Sequence, residues 1–459
     1  GPASMSTGDD AAMRFRAYGW DVIDLDEMAD DLDGLEAALR TAKAQTDKPS
    51  LLILRSHIGG PSPDHIDTAA AHGNPFSAGD VTRTKQVMGI PDEPFWAPDD
   101  LVAAYRDHVG ERGAAARSAW QESSGSVTST PEWQAAWTST GTDGWDTALP
   151  SYEVGESIAT RKAIQKALDA TYDNLPGLMS GSADLTGSNG TGLARTTAFT
   201  IDDRAGRYIH FGIREHAMGA ALVGMAQHGG TLPISGTFFV FSDYMRPSIR
   251  LAALSGAKCC FVFTHDSVGV GEDGPTHQPV EQLATLRAMP GLHVIRPADG
   301  NETIQAWADI VRHDGPSALI LSRQNIRVVT DGSAVARGAG IVTDSDGEPD
   351  VILVGTGSEV EVCVDAADRL RQQGHAVRVV SLPSWDRFAE QADDFQDSIM
   401  PIGVPALSVE AATTFGWERW SDDSIGIDRF GASAPGELVL DNLGINVDNV
   451  VERATALLD

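Results

Sequence analysis

The sequence predicts an α/β protein in which two α/β domains follow a fragment of parallel sheet. Short continuous apolar runs, the pattern of strands buried on both faces, recur along the chain. They are Ser50-Leu-Leu-Ile-Leu-Arg55, Cys259-Cys-Phe-Val-Phe-Thr264, Ala318-Leu-Ile-Leu-Ser322, Asp350-Val-Ile-Leu-Val-Gly355 and Val377-Arg-Val-Val-Ser381. Helical periodicity separates most of them, as in a parallel sheet wrapped by helices. Length agrees, since 459 residues at about 150 per domain make roughly three domains.

The composition narrows the function classes. With 42% hydrophobic and 22% charged residues, the chain is neither disordered, collagenous nor a coiled coil. Sixty-five acids against 34 bases give a net charge of −31, which disfavours nucleic acid or an anionic membrane as partner. A phosphorylated ligand could still meet a few local arginines. No apolar run reaches the ~18 residues that span a bilayer, and the start carries no secretory signal. Cys259, Cys260 and Cys363 make neither a disulfide framework nor a zinc site, so a cytoplasmic setting is expected.

The elements follow in order. Gly1-Pro-Ala-Ser4, before Met5, reads as a tag scar, and the residues to 10 as a leader. Arg14–Trp20 runs into the apolar pair Val22-Ile23, then an acidic patch (Asp24, Asp26, Glu27, Asp30, Asp31, Asp33) that reads as a solvated face. A helix with Leu32, Leu35 and Leu39 on one side leads to the strand at 50–55. Two parallel strands are not a domain by themselves. From Gly59 to about Pro150 the chain reads as a long irregular connection with helical patches at 99–123 and 131–138. Clear alternation begins with a helix at 157–172, a strand near 177–183, a helix from Ile213, a strand near 232–235 and a helix over 242–254. The strands at 259–264, 292–295 and 318–322 complete a domain over 151–325. Residues 326–340 read as a linker, and a second domain over 341–459 opens with strand 350–355, helix 358–373 and strand 377–381.

The densest polar cluster runs from Thr264 to Gln278 (Thr-His-Asp-Ser-Val-Gly-Val-Gly-Glu-Asp-Gly-Pro-Thr-His-Gln), directly after the strongest strand. Open parallel sheets bind ligands beyond the carboxyl ends of their strands, glycines allow close backbone approach, and His and Asp can hold hydroxyls or move protons. His265 and His277 have no third soft ligand at zinc spacing. A second cluster is Gly212-Ile-Arg-Glu-His216, where Glu215 at a helix start is also what the helix dipole favours. Gly181–Asn189, with Asp184 and Ser188, follows a strand and reads as a turn or a ligand loop. Arg161 near a helix start and Arg323 after a strand stand where anions bind. Gly355-Thr-Gly357-Ser358 lacks the third glycine of a dinucleotide fingerprint and is taken as a tight strand-to-helix turn.

Together these segments resemble transketolase from about residue 11 to the end. The carriers are Gly212-Ile-Arg-Glu-His-Ala-Met218, Thr237-Phe-Phe-Val-Phe-Ser-Asp-Tyr244, the Gly-Glu-Asp-Gly-Pro-Thr-His-Gln run ending at Gln278, Ser322-Arg-Gln-Asn325, Gly355–Val360 and Phe430–Glu437. The resemblance implies a thiamine diphosphate-binding, transketolase-like pyrimidine domain and a C-terminal α/β domain. Ahead of them would stand the C-terminal remnant of a pyrophosphate-binding domain with its connecting segment (11–150).

The resemblance further implies transfer of a two-carbon ketol unit from a ketose phosphate to an aldose phosphate through a thiamine diphosphate carbanion. Glu215 would hydrogen-bond the pyrimidine nitrogen from an apolar pocket, and Phe238 and Phe241 would flank that ring, with Asp184 also at the cofactor. His265, Asp273 and His277 would contact sugar hydroxyls and shuttle protons, and His72 in Ala71-His-Gly-Asn74 would be another substrate contact. Arg161, Ser188 and Arg323 would clamp the sugar phosphate. The family's Gly-Asp-Gly run and following Asn, which hold Mg²⁺ and the diphosphate, do not occur here, so no metal ligand is assigned. The expectation is therefore the C-terminal subunit of a split transketolase, inactive alone, forming an α2β2 complex with an N-terminal partner subunit. Either the split is natural, with Met5 a true start, or the polypeptide was cut; a break between sheet elements favours the first. Ser62-Pro-Asp-His65 departs from the usual Ser-Pro-Asn-Lys, which bears on sugar specificity. The alternatives are a subunit of another thiamine diphosphate enzyme (2-oxo acid decarboxylating or deoxyxylulose-phosphate synthase-like) and a non-catalytic scaffold chain.

Overall fold

Asp10 and Asp31 each cap a helix by accepting a backbone N–H with the side chain, which starts the helices Ala11–Ala17 and Leu32–Ala44. Between and after them, β1 (Asp21–Asp24) and β2 (Ser50–Ile53) pair in parallel, from Asp21 opposite Ser50 to Asp24 opposite Ile53. The computed structural model describes residues 5–458, so the tag scar lies outside the described residues. The chain divides into two compact units, the first ending at Trp120. Within the described part of that first unit, the well-buried apolar residues are Leu25 and Ala38, whereas Met13, Tyr18, Leu32, Leu39, Phe95 and Tyr105 are exposed.

The stretch expected to be irregular is more helical than its apolar pattern suggested. Ala78–Met88 is a helix whose Ser77 and Asp80 form a reciprocal capping box, a start signal that works without an apolar stripe. The patches read at 99–123 and 131–138 are the helices Asp99–Thr128 and Pro131–Trp137. Among the described residues no helix is long and apolar enough to cross a membrane.

The second unit carries two sheets. The first sheet runs β5 (Tyr208–His210), β4 (Leu178–Ser182), β6 (Leu232–Phe238), β7 (Cys260–Thr264), β9 (Ser317–Leu321), β8 (His293–Ile295), all parallel. Alternation along a strand gives it two buried faces. Cys260 and Val262 pack with Ile164, Leu168 and Trp307 on one side, and Phe261 and Phe263 with Met218, Met245 and Ile249 on the other. The helix expected at 157–172 begins at Thr160, because Ser157-Ile158 is a strand (β3) paired antiparallel with β10 (Ile326–Arg327). That partner falls in the stretch read as a linker, which also holds the helix Ala334–Arg337.

The second sheet runs β11 (Gly340–Thr343), β13 (Val377–Ser381), β12 (Val351–Gly355), β14 (Ala406–Val409), β15 (Asp423–Ile425), parallel except for β11. Val351 and Leu353 face one core with Val450 and Ala454, and Ile352 and Val354 face another with Phe388 and Trp417.

Candidate active site

In the six-stranded sheet the chain steps from β4 outward to β5 and then back past β4 to β6. Such a reversal opens a crevice at the carboxyl ends of the strands. The sequence places the candidate residues at those ends. After β4 come Asp184, with φ +61°, and the short helix Thr186–Asn189. After β5 comes Glu215, first residue of the helix Glu215–His228 and only 8% exposed. β6 closes on Phe238 and leads into the 3₁₀ turn holding Phe241. His265 follows β7, and Arg323 follows β9.

Arg161 is brought to this edge by a tie between distant segments. Thr160 Oγ1 accepts the Ser322 backbone N–H at 2.7 Å, fixing the start of the helix Thr160–Thr171 against the end of β9. Arg161 Nε then donates to the Arg323 carbonyl at 3.1 Å and Nη1 to the Ser188 carbonyl at 2.9 Å. Burial, then the neighbouring Arg323 charge, lowers the Arg161 pKa. Among the described residues neither guanidinium forms an ion pair with a carboxylate. Two cations held together without a counter-charge can accept an anion.

The next layer is aromatic. Phe238 and Phe241 lie 5.9 Å apart with an interplanar angle of 12°, and His265 stacks on Phe238 at 3.7 Å. His277 meets both phenylalanines edge-on, at 6.2 and 5.4 Å. Burial, followed by the charges of Arg161, Arg323 and His277, pushes the His265 pKa down to about 3. His265 is therefore a neutral imidazole at any working pH.

The loop bearing Asp273 and His277 is stapled to the last domain. Gln278 Nε2 donates to the carbonyls of Gly271 and Ala432, each at 2.9 Å, and the Ser433 hydroxyl donates to the Glu272 carbonyl. A Cβ on Gly431 would stand 2.0 Å from Gln278 Oε1, so this approach requires glycine there. Asp273 itself is exposed.

Three family models match the chain. They are the transketolase thiamine diphosphate-binding domain over residues 1–141, the transketolase pyrimidine-binding domain over 156–329 and the transketolase-like C-terminal domain over 338–446. Transketolase from Halalkalibacterium halodurans is 44% identical over 461 residues, covering 97% of this chain and 69% of that protein. The chain belongs to the transketolase family. Its structure resembles transketolase from Leishmania mexicana, with a TM-score of 0.93 at 39% identity over 99% of this chain and 69% of that one. The Pichia stipitis transketolase structure described as a complex with sedoheptulose 7-phosphate gives 0.93 at 36% identity, again over 99% and 69%. A chain described as a split gene transketolase, inactive beta4 tetramer, shares the fold alone, at 22% identity and a TM-score of 0.55 over 66% of this chain and 98% of that one.

In transketolase terms, the six-stranded sheet is the pyrimidine-binding domain and the five-stranded sheet the C-terminal domain. The thiamine diphosphate-binding domain model covers the stretch read as a remnant and a connection. Of the residues expected at the site, Asp184, Ser188, Arg161, Glu215, Phe238, Phe241, His265, Asp273, His277 and Arg323 all belong to the second unit. His72 lies in the first unit, exposed on the short helix Ala70–Gly73.

Sequence reading missed the residue behind His265. Arg296, 1% exposed, donates from Nε and Nη2 to Asp266 Oδ2 at 3.0 and 2.8 Å, and from Nη1 to the Thr356 carbonyl at 3.0 Å and to Glu359. Burial alone would lower its pKa; Glu359, Asp266 and Glu410 override that and raise it. The available signal was an arginine directly after the strand 292–295.

Proposed function

We propose that this transketolase-family chain transfers a two-carbon ketol unit from a ketose phosphate to an aldose phosphate, in the cytoplasm, with thiamine diphosphate and Mg²⁺. The observation that carries the reading is the Arg161–Arg323 pair, cationic and without a carboxylate partner, next to the neutral His265 and the aromatic plane of Phe238 and Phe241. The buried free thiols of all three cysteines suit a reducing compartment.

The residues present fit the pyrimidine ring of the cofactor. The near-parallel rings of Phe238 and Phe241 suit a flat heteroaromatic ring, and the buried Glu215 offers a carboxyl at the start of the helix that follows β5 in the same sheet. Thiamine diphosphate, when bound, supplies the chemistry that breaks and re-forms a carbon–carbon bond next to a carbonyl. Glu215 would hold a proton at a pyrimidine nitrogen, with Asp184 near the same group. Arg161, Arg323 and the Ser188 segment would grip the sugar phosphate, while His265, His277 and Asp273 would meet its hydroxyls. Glu215→Gln, which cannot ionise, should fold normally and lose nearly all turnover. Near-normal ketol transfer by that variant would sink the assignment.

The reading extends to assembly. A two-stranded parallel sheet with hardly any core, flanked by a helix that exposes Leu32 and Leu39, is built to be completed by further strands. We assign those strands, and the Gly-Asp-Gly residues for Mg²⁺ and the diphosphate, to an N-terminal partner polypeptide, with two copies of each chain in the complex. Calorimetric titration of thiamine diphosphate and Mg²⁺, with a coupled ketol-transfer assay, tests this with and without such a polypeptide. Micromolar cofactor binding and full turnover by this chain alone would overturn the assignment of a partner.

A further inference from the structure

Behind the site runs a chain of buried side chains whose hydrogen bonds have one consistent direction. Ser182, Asn189, Thr264 and His265 are 1%, 0%, 0% and 4% exposed. The Ser182 hydroxyl donates to the Gly236 carbonyl at 3.1 Å and accepts from the Leu185 backbone N–H at 3.0 Å and from Asn189 Nδ2 at 3.1 Å. With Nδ2 thereby placed, the other end of the Asn189 amide is an oxygen, and it accepts the Thr264 hydroxyl at 2.7 Å. Thr264 has a single hydroxyl proton, already directed at Asn189. Its 2.9 Å contact with His265 Nδ1 therefore has the ring nitrogen as donor.

A neutral imidazole carries one N–H, so Nε2 keeps a lone pair. Among the described residues it takes part in no hydrogen bond. Two backbone features serve this arrangement. His265 adopts φ +63°, a left-handed conformation unusual for a residue with a side chain, and its ring lies on Phe238 while Nδ1 meets Thr264. A Cβ on Gly236 would stand 2.8 Å from Asn189 Cβ and 3.0 Å from its Nδ2, so the amide can pack there only against glycine.

We propose that Asn189 and Thr264 are positioning residues that hold His265 in the Nδ1–H tautomer, so that Nε2 receives a substrate hydroxyl as a hydrogen-bond acceptor and cannot donate to it. The proposal rests on the ketol-transfer reading above. It gives the two histidines of the site different duties, because only His265 is locked by a buried relay; His277 Nδ1 contacts the Thr276 hydroxyl at an exposed position. It also gives the site a preference for a hydroxyl over a carbonyl at the substrate atom His265 meets, since a carbonyl would leave two acceptors facing each other.

The test reads the tautomer directly. In the full chain labelled with ¹⁵N-histidine, two-bond proton–nitrogen correlations report which nitrogen of each ring is protonated, and His265→Gln assigns the signals. The expected spectrum has Nδ1 protonated and Nε2 bare, unchanged across about pH 5 to 9, an interval in which a free imidazole titrates. Thr264→Val, of the same shape but without the hydroxyl, should admit the Nε2–H form; Thr264→Ser should restore the original spectrum. In the ketol-transfer assay, with the N-terminal partner polypeptide present, Thr264→Val should lower kcat roughly 10- to 100-fold, a part of what general acid–base groups contribute, with little change in KM, and Thr264→Ser should recover most of it. An Nε2–H signal for His265 in the unsubstituted protein overturns the proposal, and that spectrum decides even if the valine variant does not fold. A folded Thr264→Val protein with unchanged tautomer and kcat overturns it as well. Absence of any ketol transfer by the unsubstituted enzyme with its N-terminal partner polypeptide present counts against the activity instead, and the spectra still judge the relay.

Discussion

The two sheets of the second unit end alike and are put to different uses. At the carboxyl ends of the six-stranded sheet stand Arg161 and Arg323, without a carboxylate partner, beside a neutral His265. At the carboxyl ends of β12 and β14, Thr356, Glu359 and Glu410 close instead on Arg296, which comes from the first domain. Arg287 adds a two-pronged pair to Glu410, with both contacts at 2.9 Å, and Trp417 Nε1 donates to the same carboxylate at 2.8 Å. In that second crevice each buried cation is paired with carboxylates inside the protein, and in the first the arginines are not. Topology supplies a crevice to both, so the unpaired cations are what single out one of them as the proposed binding site, whereas the paired ones join two domains.

The strongest way to break this comparison is to empty the joint. Arg296→Met keeps the length of the side chain and leaves Asp266 and Glu359 buried without their cation, while Arg287 still holds Glu410. Removing one partner from a buried ionic cluster should lower stability by roughly 3–5 kcal/mol. Chemical denaturation measures it. An unchanged midpoint would mean that apolar packing, not charge, joins the two domains.

A second ionic contact of the same joint is sensitive to pH. His293, with 2% of its side chain exposed, lies between Asp309 at 2.9 Å and Asp386 at 2.5 Å. Burial alone would lower its pKa, but the hydrogen bonds and charges of the two carboxylates raise it from 6.5 to about 9. A raised histidine pKa means that the folded state holds the proton more tightly. Its contribution of about 3 kcal/mol is fully present below the unfolded value and is lost as pH rises through the folded one. Stability measured between about pH 6 and 10 should fall accordingly, and the His293→Asn protein should lose much of that slope.

Emptying the other crevice should affect binding rather than folding. Arg161→Ala or Arg323→Ala should raise KM for phosphorylated sugars roughly 10- to 100-fold, from ~1.5–3 kcal/mol per charged hydrogen-bonded contact. An unphosphorylated acceptor such as glycolaldehyde should be affected far less. Equal losses for both substrate types would make the arginine pair structural, like Arg296.

These outcomes also measure what the sequence could disclose. The runs at 259–264, 318–322, 350–355 and 377–381 correspond to β7, β9, β12 and β13, because strands buried on both faces need continuous apolar residues whatever lies around them. Glu215, His265, Arg161 and Arg323 were legible as candidates, since polar residues after such strands have one place to gather. Long-range pairing was not legible. Ser157-Ile158 became a strand only through Ile326-Arg327, far along the chain, and nothing local in Asp266 or Arg296 announces the other. The Asn189–Thr264–His265 relay was hidden for the same reason. All three residues sat in motifs already singled out, yet their hydrogen bonds cross from the end of one strand to the end of another.

The smallest expected effect comes from the helix that already carries the buried joint. Glu359, its first residue, is 1% exposed and bound to Arg296, while Arg369 near its other end pairs with Asp448, the two side chains being 49% and 84% exposed. Both are ion pairs between neighbouring elements of similar chemistry. Water screens the second almost completely, and ordering two long side chains opposes most of the attraction that remains. Arg369→Ala should therefore change stability by less than ~1 kcal/mol, and raising the salt to ~1 M should erase most of that difference. The Arg296→Met loss should persist in the same salt, because ions do not reach a pair sealed between two domains. A loss at Arg369 as large as that at Arg296 would show that contact between helices, rather than burial of unbalanced charge, sets the strength of these pairs.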